Sequence, residues 1–156
     1  MFSDKELSLL KQGRYDELLT YVKQEIENSP DDMDLRKDLI FTYWSCGRFY
    51  EAIEIYEDFL PEIQKFTDLV VTIGNAYYRI DNYEKAIKTL NSVINNDKES
   101  IDPQALSLAH SNLGVVYEAL SKFELAVKEY RIALNIFPDN WMAKKYLDDD
   151  NLAPFK

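Results

Sequence analysis

The sequence predicts an all-α fold, a right-handed stack of about nine antiparallel helices in pairs, on three observations. A turn motif recurs along the chain. Apolar residues recur at three- and four-residue steps on both sides of each turn. Glycine and proline are scarce, at 4 and 5 of 156 residues, too few for a chain built from hairpins and tight β-turns. The turn is carried by Gly13, Tyr15 and Leu18, then 34 residues later by Gly47, Phe49 and Ala52, and after another 34 by Asp81, Tyr83 and Ala86. Ser121, Phe123 and Ala126 follow after a longer step of 40.

The same register extends to either side of the turn. Leu9, Tyr43, Tyr77 and Tyr117 share one slot, and Val22, Tyr56, Leu90 and Tyr130 another. Leu39, Ile73 and Leu113 share a third, followed at once by Ile40, Gly74 and Gly114, with Glu6 standing in that place in the first copy. Repeats are therefore expected at 1–32, 33–66, 67–100 and 107–140, with an insertion at 101–106 and a capping helix at 141–150 followed by a short tail, all within one domain, 1–156. A pair of helices cannot bury both its stripes alone, so the copies must stack.

Each element has a local reason. Helices are expected near 4–11, 15–28, 33–45, 49–60, 67–80, 83–95, 103–119, 123–136 and 139–148. Leu35, Leu39, Ile40 and Tyr43 give the amphipathic spacing of a first helix, and Ala52, Ile53, Tyr56 and Phe59 that of a second. Gly47 suits the left-handed residue that ends a helix, and Asp81 replaces it in the third copy. Gly74, Gly114, Ala52, Ala86 and Ala126 permit close helix approach. Asp102 is an N-cap and Pro103 a first helical residue, so the helix of the fourth copy starts about one turn early. In the tail, Trp141, Met142, Tyr146 and Leu147 are expected to pack on 123–136 around Tyr130 and Leu134, with Lys144, Lys145 and Asp148 to Asp150 facing water.

Composition excludes several function classes. Lys and Arg number 18 against 28 Asp and Glu, a formal net charge of −10. Nucleic-acid binding and a polybasic membrane anchor both need clustered cations. No run is long and apolar enough to span a membrane, and the first residues do not read as a signal peptide. Cys46 is the only cysteine and His110 the only histidine, so no internal disulfide, Cys/His nucleophile or His-rich metal site is available, and a reducing, cytoplasmic setting is expected. No phosphate loop or hydrolase motif is present, so neither catalysis nor a cofactor is expected. His110, between Leu106 and Leu113, reads as a packed core residue. Asp148 to Asp150 read as a solvated, frayed helix end rather than a cation site.

The period of 34, the Gly–x–aromatic–x–x–Ala turn, the pair Leu113–Gly114 and the closing Pro30 and Pro138 resemble the tetratricopeptide repeat. The segment 73–87 looks close to a consensus copy, and the tail is similar to that family's extra capping helix. The resemblance covers essentially the whole chain and implies an α-solenoid whose first helices line a concave, protein-binding groove. Projecting that stripe gives Lys37, Phe41 and Trp44 from the second copy, Val71, Asn75, Tyr78 and Arg79 from the third, and Ser111, Asn112, Val115 and Glu118 from the fourth. Apolar side chains would bury on Phe41, Trp44, Tyr78 and Val115, while Asn75 and Asn112 would bond ligand backbone and Lys37 and Arg79 would pair with ligand acids. Members that clamp a chaperone's terminal carboxylate use a fixed Lys/Asn/Arg set. Lys37 and Asn75 approach it, but Phe41 and Leu108 stand where Asn and Lys are required, which disfavours that ligand. The resemblance thus implies an adaptor or scaffold that binds a peptide or helix of another protein. The alternatives are a small acidic chaperone holding an unfolded cargo segment and a self-assembling protein whose repeat ends stack into homo-oligomers.

Overall fold

Four residues take the left-handed conformation where the repeat pattern turns: Gly13 at φ 67°, Gly47 at 77°, Asp81 at 59° and Ser121 at 58°. Each ends a helix with the same pair of bonds. The amide after the turn residue reaches back to the aromatic or leucine slot: Arg14 to the Leu9 carbonyl at 3.0 Å, Arg48 to Tyr43 at 2.8 Å, Asn82 to Tyr77 at 2.9 Å and Lys122 to Tyr117 at 2.8 Å. In the computed structural model, which describes residues 2–60, 62–95, 101–148 and 150–155, no strand is present among the described residues.

The chain forms two compact units, up to Lys65 and from Phe66 onward. The division falls at the boundary between the second and third copies. Unit 1 holds α1 (Asp4–Lys11), α2 (Tyr15–Asn28), α3 (Met33–Ser45), α4 (Phe49–Asp58) and a 3-10 turn Glu62–Lys65. Ser3 and Glu6 form a capping box at α1, with the Ser3 amide donating to Glu6 Oε2 at 2.6 Å. Asp32 caps α3 by accepting from the amides of Asp34 and Leu35. Leu18, Val22, Ile40 and Ala52 are fully buried here, with Leu39, Tyr43 and Tyr56 close to it.

Unit 2 holds α5 (Thr67–Arg79), α6 (Tyr83–Ile94), α7 (Pro103–Ala119), α8 (Phe123–Ile136), α9 (Trp141–Leu147) and a 3-10 turn Asp150–Phe155. Asp102 caps α7 and Pro103 opens it, as the sequence predicts. Residues 96–100 and 149 lie outside the described residues, and with them the end of the third expected repeat and part of the Asp148–Asp150 run. The long helix α7 packs against α5, α6 and α8 and is central to this unit. Two helix pairs of this unit use glycine for a steric reason: a Cβ on Gly114 of α7 would stand 2.5 Å from Tyr130 Cε1 of α8, and one on Gly74 of α5 2.6 Å from Leu90 of α6.

The cap differs from the expected one. Trp141 does not pack on α8; it is 65% exposed. As the first residue of a seven-residue helix it projects outward, while Ala143 is fully buried and the Tyr146 ring stacks on Tyr130 at 5.3 Å between centroids. Met142 and Leu147 pack half-buried against the same cluster, as predicted. The tail adds what periodicity did not show. Leu152 is fully buried, and the Phe155 ring stacks on Phe123 at 5.1 Å.

Candidate functional site

On unit 1, the predicted stripe lies along α3 between its core slots. Leu39, Ile40 and Tyr43 face the interior and are buried, while Phe41, Trp44 and Ser45 are half-buried. Lys37 lies on the same stripe, one turn before Phe41. Its ammonium sits 3.3 Å from Asp34 Oδ1 and its side chain is largely covered, so its alkyl stem contributes apolar surface next to a cationic tip. This face combines two large rings with one cation.

On unit 2, the predicted residues split between surface and interior. Arg79 is exposed, and Asn75, Tyr78 and Glu118 are half-buried. The Tyr78 ring stands 6.1 Å from that of Tyr83, tilted, and leans on the cluster built around Val127 and Tyr130. Val71, Ser111, Asn112 and Val115 are buried. The expectation that Ser111 and Val115 line an open surface therefore does not hold. The physical reason is that α7 is covered by α5 and also touches α9, so the middle of the helix has no open side. Asn75 Nδ2 donates to Asn112 Oδ1 at 2.9 Å, and Asn112 Nδ2 donates to the Leu108 carbonyl. These two amides, expected to meet a ligand backbone, tie α5 to α7 instead.

Asn140, which periodicity did not single out, organises the covered part. Its Nδ2 donates to Ser107 Oγ at 2.7 Å and to Ser111 Oγ at 2.8 Å, and its Oδ1 accepts from the Ala143 amide at 2.9 Å. Ser107 Oγ donates onward to the Ala133 carbonyl at 2.8 Å. One buried amide thus caps α9 and fastens it to α7 and α8. Its visible signal was its place after Pro138 and Asp139, at the start of a helix. Glu118 is drawn inward as well, accepting a 2.5 Å bond from the Tyr130 hydroxyl. Burial first, and then that bond, push the Tyr130 phenol far above its ordinary range, so it stays neutral.

His110 is buried as expected, with Nδ1 2.7 Å from Glu129 Oε2. Among the described residues no cluster of three His, Cys, Asp or Glu could hold a metal, and no helix is long and apolar enough to cross a membrane. An open groove of about 620 Å³ runs between α1 and α2, lined by Lys5, Arg14, Glu17 and Tyr21 among others. None of its lining belongs to the aromatic stripe. Its cations are already engaged, Arg14 with Glu17 at 2.5 Å and Lys5 over the Tyr21 ring.

Family models described as tetratricopeptide repeat match two spans, residues 71–100 and residues 108–140, which coincide with the third and fourth copies. The third and fourth copies are tetratricopeptide repeats. Solved structures of the same fold include MamA, with a TM-score of 0.74 at 20% identity over 99% of this chain and 92% of that one. A thermophilic tetratricopeptide-repeat protein of Thermus thermophilus superposes with a TM-score of 0.72, at 17% identity over 96% of this chain and 77% of its own. PilF of Pseudomonas aeruginosa gives 0.73 at 18% identity, over 97% of this chain and 73% of its own. These likenesses show an α-solenoid fold. No curated protein matches the chain. Tetratricopeptide repeats build protein–protein interaction modules, because stacked helix pairs present extended faces rather than a closed pocket.

Proposed function

We propose that this tetratricopeptide-repeat chain is a non-enzymatic adaptor or scaffold that takes a peptide or helix of another protein on its first-helix faces. The observation that carries the reading is the pair Phe41 and Trp44, half-exposed on α3 beside Lys37 while the core slots of the same helix are filled by Leu39, Ile40 and Tyr43. Repeat packing therefore leaves part of both rings open to a partner, and large aromatics next to a cation are the composition of binding hot spots. Tyr78 and Arg79 on α5 offer a similar set on unit 2. The contacts proposed for a ligand are thus Lys37, Phe41 and Trp44 on unit 1, and Tyr78 and Arg79 on unit 2. Within unit 2, Val71, Asn75, Ser111, Asn112, Val115 and Glu118 hold the shape of the face that carries Tyr78 and Arg79. The lone, half-buried Cys46 suits a reducing compartment such as the cytoplasm.

The test begins with capture and identification of a partner from native lysate, followed by titration into a Trp141→Phe background. Trp44 is then the only tryptophan, and its emission is expected to shift on binding. Trp44→Ala is expected to weaken binding roughly thirtyfold or more, the consequence of losing about 2 kcal/mol at a hot spot. An unchanged affinity with helicity intact would overturn the assignment.

A further inference from the structure

We propose that Glu118 and the tyrosines around it form a subsite on unit 2 that takes a basic side chain, lysine or arginine, from the partner segment; this rests on the adaptor reading and names the charge of its ligand. Beyond holding the face, Glu118 lies in the last turn of α7, past the covered middle of that helix, and is half-buried. Its place is the one that Leu10, Trp44 and Tyr78 hold in the earlier copies, so an acid replaces the large apolar residue of the binding face. The fold fixes this acid in position. The Tyr130 hydroxyl donates to Glu118 Oε1 at 2.5 Å, and the Tyr130 ring lies nearly parallel to that of Tyr146 on α9, with 5.3 Å between centroids. Tyr78 of α5 and Tyr146 both pack half-buried on the cluster that holds Tyr130, and Val115, one turn before Glu118, belongs to the same cluster.

Three physical features select a cation. The first is the carboxylate itself, which in a partly desolvated, aromatic setting is best matched by a charged donor. A carboxylate offers roughly four acceptor sites, so an ammonium or guanidinium adds to the Tyr130 bond without displacing it. The second is the helix end. The C-terminus of a helix carries partial negative charge, which disfavours an acid and favours a cation, and no basic residue stands in the last turn of α7. The third is the pair of half-buried tyrosine rings, whose faces attract cations. An anionic ligand meets all three with the wrong sign. The chain's net charge of −10 adds a long-range attraction for a basic segment.

Nuclear magnetic resonance on the intact chain at low salt tests this with a pair of short capped peptides as probes, one alternating alanine and arginine, the other alanine and glutamate. The basic peptide is expected to give saturable shifts at the Glu118 carboxyl carbon and at the Tyr78 and Tyr146 rings, and the acidic peptide none. Glu118→Gln keeps an acceptor for the Tyr130 hydroxyl but removes the charge, and is expected to weaken the basic peptide roughly tenfold, read from the ring shifts. Glu124→Gln, which removes an exposed carboxylate in the first turn of α8 and changes the net charge equally, is expected to leave that affinity within about twofold. Tyr78→Leu keeps apolar packing and is expected to weaken the basic peptide roughly threefold. It serves as the second variant should Glu118→Gln fold poorly. The probes stand in for the natural partner, so this result and the Trp44 titration succeed or fail separately. Absence of saturable shifts with the basic peptide, an equal response to the acidic one, an affinity in Glu118→Gln equal to that in Glu124→Gln, or an unchanged affinity in Tyr78→Leu would overturn the proposal.

Discussion

Units 1 and 2 are written in the same repeat and closed by different chemistry. In unit 2 the crossing slot holds Gly74 and Gly114, and the large partners Leu90 and Tyr130 fill the space a side chain would take. A buried amide, Asn140, then satisfies three polar groups at once and seats the cap. In unit 1 the slot holds Glu6 and Ile40, the residues in the Tyr130 slot are Val22 in the first copy and Tyr56 in the second, and one buried carboxylate oxygen has no donor. The comparison teaches that sharing a repeat's register does not mean sharing its stability. Register places the helices, whereas the residues at the crossing decide how firmly each is held.

The largest effect is expected from Tyr130→Ala. This side chain is fully buried, fills the space over Gly114, stacks on Tyr146 and donates to Glu118. Its loss is expected to cost about 3–5 kcal/mol. Val22→Ala, the same slot in the first copy, removes two methyl groups and is expected to cost about 1.5 kcal/mol. Chemical denaturation of both variants checks the ratio, and equal losses would erase the contrast between the first and fourth copies.

A smaller effect is expected at the crossing itself. Gly114→Ala drives a Cβ into the rigid Tyr130 ring and is expected to destabilise by about 1–3 kcal/mol, despite the better helix propensity of alanine. A neutral or stabilising result in thermal unfolding would show that the crossing yields. The smallest effect concerns the turns. Ser121 holds a left-handed φ that glycine adopts freely. Ser121→Gly is expected to stabilise by about 1 kcal/mol, whereas Gly47→Ala in unit 1 is expected to destabilise by a similar amount. A midpoint shift of opposite sign in either variant would contradict the turn assignment.

The fold was legible where its cause was local. Capping by Asp102 with Pro103, the left-handed turns at Gly47 and Asp81, and helices 33–45 and 103–119 follow from residue type and spacing, and α3 and α7 occupy those spans. The 3-10 turn with Leu152 and Phe155 was not legible, because a single turn has no periodicity and its anchors lie wherever Phe123 and α8 place the surface. Trp141 was misplaced for a related reason. In a helix of only seven residues, apolar character does not say which side faces the core, and Ala143 and Tyr146 took that side. At the candidate site, projection found the α3 face, where Phe41 and Trp44 remain partly open. It could not foresee that Ser111 and Asn112 would be covered, since that depends on the approach of α9 and on a buried asparagine reaching across 29 residues to Ser111.

Unit 1 also offers the most direct test of function, because it carries large aromatics, one half-buried and one exposed, on helices of both kinds. Trp44 lies on the first helix α3, and Tyr50, 70% exposed, lies on the second helix α4. Binding of an identified partner should be measured for Trp44→Ala and Tyr50→Ala side by side, with circular dichroism confirming that both remain helical. Binding through the first-helix face predicts that Trp44→Ala loses roughly thirtyfold or more in affinity while Tyr50→Ala keeps the wild-type value. Loss of binding in Tyr50→Ala with Trp44→Ala unaffected would place the partner on the second helices and contradict the account.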